Sequence, residues 1–129
     1  MFASSFGSEP GTGAIRVVQV RDEIVAVCLE GEFDVANVSA LREQVDGTVA
    51  GENDLILDLS QATFIDSSVI RVLFDAASAV KGRDQAIVLQ LGTTPIVERA
   101  LEIVGIERVL PRAHDREEAV RMISDERGS

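Results

Sequence analysis

A chain of 129 residues, 46% of them apolar, has the length of one domain and enough material for a core. A formal net charge of −10 argues against nucleic-acid or anionic-membrane partners, since both demand a basic surface. No apolar run approaches the roughly 18 residues of a membrane span, and the opening MFASSFGSEPGTGA lacks the basic start and apolar stretch of a secretory leader.

Residues 1–13 are rich in Gly and Ser without an apolar period, and read as a flexible tail. Ile15 to Arg21 and Ile24 to Gly31 are β-branched runs separated by Asp22-Glu23, the pattern of a hairpin. In the second run Val25, Val27 and Leu29 alternate with Ala26, Cys28 and Glu30, which predicts a strand with one wetter face. Gly31-Glu32-Phe33-Asp34 breaks that pattern. Val38, Leu41, Val45 and Val49 then form one stripe of a helix that ends near Gly51.

Leu55 to Leu59 is short and nearly all apolar, as a central strand covered on its faces would be. Asp66-Ser67-Ser68 supplies helix-starting residues for the stripe Val69, Val72, Leu73, Ala76 and Val80, with Gly82 as the stop. Ala86 to Leu91 is another strand. Thr94-Pro95 offers an N-cap and an N1 proline for a helix through Leu101 to Gly105. Ile106 to Leu110 reads as a short strand, and Asp115 with Glu118 opens a last helix. The folded domain is expected over 14–125, with 126–129 as a second tail. The order β-β-α-β-α-β-α-β-α predicts an α/β single domain, a mostly parallel mixed sheet with one N-terminal hairpin strand and about four helices.

Catalytic constellations do not assemble. His114 is the only histidine, beside Arg112 and Asp115, and reads as a solvated loop residue. Cys28 is the only cysteine, so no internal disulfide forms, and a reducing, cytoplasmic setting is expected. Within its strand it reads as small core filler, without metal-ligand spacing around it. Gly11-Thr12-Gly13 precedes a strand instead of following one, so it is no phosphate loop. A phospho-receiver domain would want a lysine after its last strand, and the only lysine is Lys81.

The concentrated signal is Thr63-Phe64-Ile65-Asp66-Ser67-Ser68, where a buried strand meets a helix. Three further marks stand in order with it: Gly31-Glu32-Phe33-Asp34, Gly105-Ile106 and Glu117-Glu118-Ala119. Together, over roughly residues 15 to 124, the chain resembles the STAS family of the anti-sigma-factor antagonist type. The resemblance implies a STAS-like fold, no enzymatic activity and no resident cofactor. It implies a partner as well, an anti-sigma factor that is also a serine kinase of the histidine-kinase-like ATPase type. That partner would phosphorylate the first serine of the triplet, Ser67, with Ser68 as the second choice, and phosphorylation would switch binding off. A rival reading with the same fold is a STAS module of another assembly, such as a stressosome-like scaffold or a transporter accessory subunit.

By the same resemblance Glu32, Asp34, Asp66, Ser67, Ser68, Val69, Ile70 and Arg71 form the partner-binding surface, with Glu32, Asp34 and Asp66 as an acidic rim. One departure stands out. Where the family usually has Gly-Leu-Gly, this chain has Val69-Ile70-Arg71. Val69 and Arg71 are therefore expected at the docking edge, matched by a partner that differs accordingly. Arg71 lies four residues after Ser67, on the same helical face, where its guanidinium has the geometry to fork onto a phosphoserine.

Overall fold

A computed structural model of the protein describes residues 13–128. Strands β1 (Ala14–Arg21), β2 (Ile24–Phe33), β3 (Asp54–Ile65), β4 (Ile87–Gln90) and β5 (Arg112–Ala113) form one sheet in the order 1-2-3-4-5. The β1–β2 pair is antiparallel, and every other pair is parallel. Helices α1 (Val38–Ala50), α2 (Ser67–Val80), α3 (Pro95–Val104) and α4 (Arg116–Gly128) connect and follow the parallel strands. The expected α/β architecture is the one observed. Among the described residues no helix is long and apolar enough to cross a membrane.

Strand periodicity sorts the core into two layers. Val25, Val27, Leu29, Leu55, Leu57 and Leu89 face α1, α2 and α3 in the larger cluster. Ala26, Cys28, Ile56 and Val88 face the opposite way, against Ala119, Val120 and Ile123 of α4. The second face of β2 is therefore drier than its alternation predicts: Ala26 and Cys28 are 0% and 2% exposed. Each large apolar side chain withdrawn from water here contributes about 1.5–3 kcal/mol before entropy is set against it.

The structure departs from the sequence pattern in four places. β2 continues past the break at Gly31, because Gly31 adopts a φ of 87° and absorbs a shift of register before Glu32. The continuation delivers Phe33, fully buried, into the core. β3 likewise runs six residues beyond Leu59, since the extended β2 gives it a partner as far as Ile65.

Ile106 to Leu110 is not a strand. Ile106–Arg108 is a 3-10 turn in which the Ile106 carbonyl accepts from both Val109 and Leu110, and the two buried ends, Ile106 and Leu110, plug the core at helical spacing. The strand follows instead at Arg112–Ala113. Finally, α4 extends to Gly128, so the expected tail at 126–129 is helical through 128, while the expected N-terminal tail lies outside the described residues apart from Gly13.

Helix ends follow their cap chemistry. Gly105 closes α3 in the left-handed region, at φ 70°. Thr94 occupies the N-cap position of α3 without a side-chain hydrogen bond, so Pro95 carries that start alone. At α4, Asp115 Oδ1 accepts the Glu118 N–H at 2.8 Å, while Glu118 reaches back one residue further than a capping box requires. It accepts the His114 N–H at 2.7 Å and lies 3.1 Å from the ring, and these contacts hold its carboxyl below the usual range. His114 is thus an exposed loop residue tied to the helix start.

Candidate functional site

β2 and β3 run parallel and finish together, with Phe33 opposite Ile65 as their last pair. The residues that follow, Asp34 and Asp66, therefore leave the sheet side by side at its C-terminal edge. This is where the chain brings the Gly31–Asp34 and Asp66–Ser68 motifs together, as the sequence expectation required.

Asp66 organises the edge. It is the N-cap of α2 in extended backbone, and its Oδ1 accepts the Ser68 N–H at 2.9 Å, the Val69 N–H at 3.4 Å and the Ser68 hydroxyl. Its Oδ2 accepts the Val35 N–H at 3.2 Å, which clips the β2–α1 loop to the start of α2. Burial opposes the charge on Asp66, but these bonds from Ser68, Val69 and Val35 outweigh it and hold the carboxyl below its usual range. The carboxylate is thus ionised and turned inward.

The loop across from it is closed by its own side chains. Asp34 Oδ1 accepts the Ala36 N–H at 2.9 Å, Asn37 Oδ1 accepts the Asp34 N–H at 2.9 Å, and Asn37 Nδ2 donates to the Glu32 carbonyl at 3.0 Å. Glu32 remains exposed, and Val35 at the loop apex is 76% exposed. Of the expected acidic rim, Glu32 alone presents a carboxylate without a side-chain bond among the described residues.

The two serines differ sharply. Ser68 is half-buried and its hydroxyl donates to Asp66. Ser67, the first residue of α2, is exposed and makes no side-chain hydrogen bond among the described residues. Ile70 is half-buried against the core and Arg71 is exposed. Val69 corrects the expectation made for it: it is 0% exposed, one of the anchors of α2 in the core, and a partner on the outer surface cannot touch it. The position three after a cap is the first to turn inward on this helix, so the valine adds core volume and leaves the docking edge unchanged.

A shallow groove of about 490 Å³ runs between the starts of α1 and α2, with Ser67, Asp66, Val35, Val38, Arg42 and Arg71 on its walls. Arg42 escaped the sequence reading. It lies one turn after Val38 on α1, beside the apolar stripe, and its Nη2 bonds Asp75 Oδ2 on α2 at 2.9 Å. Arg71 Nε stands 4.0 Å from the same oxygen. The Arg71–Asp75 spacing was visible in the sequence, whereas Arg42 needs the α1–α2 packing to be found. Among the described residues no group of three or more metal-ligating side chains gathers.

Comparison with known proteins agrees with this geometry. The STAS domain family model matches residues 16–119. BtrV of Bordetella bronchiseptica, which bears the name of an anti-sigma factor antagonist, is 30% identical over 99 residues, 76% of this chain and 84% of BtrV. An anti-sigma factor antagonist from Mycobacterium paratuberculosis shares the fold at a TM-score of 0.75 and 21% identity, over 91% of this chain and 98% of that one. The Bacillus cell fate determinant SpoIIAA, in its phosphorylated form, superposes at a TM-score of 0.62 and 20% identity, over 85% of this chain and 99% of its own. With a parallel edge that carries Asp66-Ser67-Ser68 beside the Gly31–Asp34 loop, and a family match spanning nearly the whole described domain, the chain belongs to the STAS domain family.

Proposed function

We propose that this protein is an anti-sigma-factor antagonist that binds an anti-sigma factor with serine-kinase activity and is released from it by phosphorylation of Ser67. The observation that carries the reading is the contrast at the start of α2. Ser67 offers an exposed hydroxyl without an internal partner, while the Ser68 hydroxyl is spent on Asp66. The names of BtrV and of the Mycobacterium protein support the antagonist role, and a phosphorylated form of SpoIIAA supports the switch.

The transfer itself asks little of this chain. A kinase bound at the groove brings ATP, metal and base; the Ser67 Oγ forms a bond to the γ-phosphorus, the bond to ADP breaks, and the hydroxyl proton leaves to the kinase base. Asp66, engaged on both oxygens, is no candidate for that base. The product sits at a helix N-terminus, where the dipole favours an anion, although Asp66 already accepts the Ser68 and Val69 N–H groups. It adds about −1.5 to −2 charge to the surface that had faced the partner. In this scheme the protein is a cytoplasmic switch and catalyses nothing itself.

Intact-mass measurement after incubation with ATP and each candidate anti-sigma kinase should show one added phosphate, mapped to Ser67 and absent from Ser67→Ala. Phosphate mapped to Ser68, or no modification by any kinase of that type, would sink the reading.

A further inference from the structure

We propose that Arg42 and Arg71 form a clasp for the phosphate of phosphorylated Ser67, and that Asp75 holds both guanidinium groups until that phosphate arrives. The inference rests on Ser67 being the acceptor and goes further, naming what receives the new charge.

The geometry comes from the α1–α2 pair. Both helices follow parallel strands that end level with each other, so they lie alongside with their N-termini at the same edge. Val38 at the start of α1 and Ser67 at the start of α2 share the groove. Arg71 is one turn along from Ser67 and one turn short of Asp75, about 6 Å from each along the axis. Arg42, one turn along α1 from Val38, lines the same groove from the facing helix. Both guanidinium groups meet Asp75 and line the groove into which Ser67 opens, so two anionic positions on α2 would compete for them.

Charge decides between them. Asp75 is half-exposed and shares one oxygen between two cations, at 2.9 Å from Arg42 and 4.0 Å from Arg71. That arrangement is weak: exposed pairs contribute little against screening and side-chain entropy. A phosphoserine brings nearly twice the charge and three acceptor oxygens, and guanidinium forks match it better than they match a single shared oxygen. Its neighbours also make neutralisation necessary. Asp66 is ionised beside it, Glu32 lies near the end of β2 and Asp34 opens the adjoining loop, and among the described residues Arg42 and Arg71 are the only cations on the groove wall.

The switch then has two parts. Phosphorylation places an anion at the docking edge, and it also draws in the two cations that had been presented there. A partner that reads the basic, apolar groove loses its counterpart on both counts.

Phosphoserine installed at position 67 by genetic code expansion tests the clasp without any kinase. The probe is the phosphorus NMR titration of the phosphoserine's second ionisation, ordinarily near pH 6. The clasp should hold it about one unit lower, a tenfold change in proton affinity. Arg42→Gln with Arg71→Gln should return it to the ordinary range or above, and each single variant should return it part of the way. Asp75→Asn, which frees both cations, should lower it further. Identical titrations in the wild-type and double-variant backgrounds would overturn the clasp, as would an effect of Arg71→Gln alone equal to that of the pair. Failure of every kinase to modify Ser67 would instead overturn the proposed function, and the two outcomes are separate.

Discussion

β3 carries the same local device twice, at Asp58-Leu59-Ser60 and, at its exit, at Asp66-Ser67-Ser68. In each, one aspartate oxygen accepts both the N–H and the hydroxyl of the serine two residues on. The other oxygen sets them apart. Asp58 Oδ2 meets Arg116 Nη2 of α4 at 2.7 Å, while Asp66 Oδ2 meets only the Val35 backbone. So does the residue in the middle: Leu59 is 1% exposed, and Ser67 stands in solvent. An Asp-x-Ser turn therefore carries no function in itself. Inside the sheet it builds a lock, and at the sheet's edge it builds a platform.

The lock is a row of side chains. Cys28, Asp58 and Gln90 stand in register across β2, β3 and β4, and Arg116 spans all three, with 2.7 Å to the Gln90 Oε1 and 3.4 Å to the Cys28 sulfur. α4 is the one helix on that side of the sheet among the described residues, so this row fixes the helix that closes the smaller core. The largest effect is expected here. Asp58→Ala removes the carboxylate from Arg116, which keeps Gln90 and whose side chain is 32% exposed, and should cost about 2–3 kcal/mol, at or just under the low end for one partner of a buried pair. Urea unfolding at unchanged m-value measures it. A loss below about 1 kcal/mol would mean the row is an ordinary surface pair.

Acid should weaken the lock and the platform together. Burial works against the charge on Asp58, yet the Ser60 and Arg116 bonds prevail and hold its carboxyl low, as the cap bonds do for Asp66. Both folded-state values lie below the unfolded one, about 3.9, so the unfolded chain binds more protons in the window beneath it. Their stabilisation is complete above that value and is lost as pH falls through the folded-state values. Stability measured from pH 5 downward should therefore fall with a slope that Asp58→Asn makes shallower. An unchanged slope would show that folding does not lower the Asp58 carboxyl below its unfolded value.

Asp66→Ala comes next in size. Loss of the cap alone costs about 1 kcal/mol, and the Val35 tie goes with it, so about 1–2 kcal/mol is expected. Amide exchange should accelerate at Val35, Ser68 and Val69, and should leave α4 protected. Exchange that rose equally in α4 would mean that the two aspartates are not separate devices.

The order of elements was legible in the sequence from its periodicity, and the meeting of the two motifs at one sheet edge was what the family resemblance implied. The locally polar stretches were not legible. Ser60 to Thr63 has no apolar run of its own and is held as strand by β2, where Glu30 and Gly31 pair with Gln61 and Ala62; the left-handed Gly31 then carries the pairing on to Phe64 and Ile65. Val69 was expected in two places, on the apolar stripe of α2 by its period and at the docking edge by the family resemblance, and helical phase from Asp66 buries it on the stripe. Arg116 and Arg42 were invisible for a common reason. Each acts on a partner far away in the chain, Asp58 and Asp75, and no local pattern announces such a pair.

The smallest effect is the one that most sharpens the comparison. Ser67 is the exposed middle residue of its triplet and bonds nothing in the described fold, so Ser67→Ala should change stability by less than about 0.5 kcal/mol. Alanine is also a good first-turn residue. Ser68→Ala removes a hydroxyl that donates to a carboxylate, and should cost about 1 kcal/mol while raising the Asp66 carboxyl toward its ordinary range. Function should follow the opposite order. Ser67→Ala should abolish phosphorylation in a chain as stable as wild type, and Ser68→Ala should keep phosphorylation in a weakened one. Thermal melts and phosphopeptide maps of the two variants, side by side, decide it. If Ser67→Ala destabilised the chain as much as Ser68→Ala, Ser67 would be part of the cap, and the separation of lock from platform would fail at the residue meant to carry the switch.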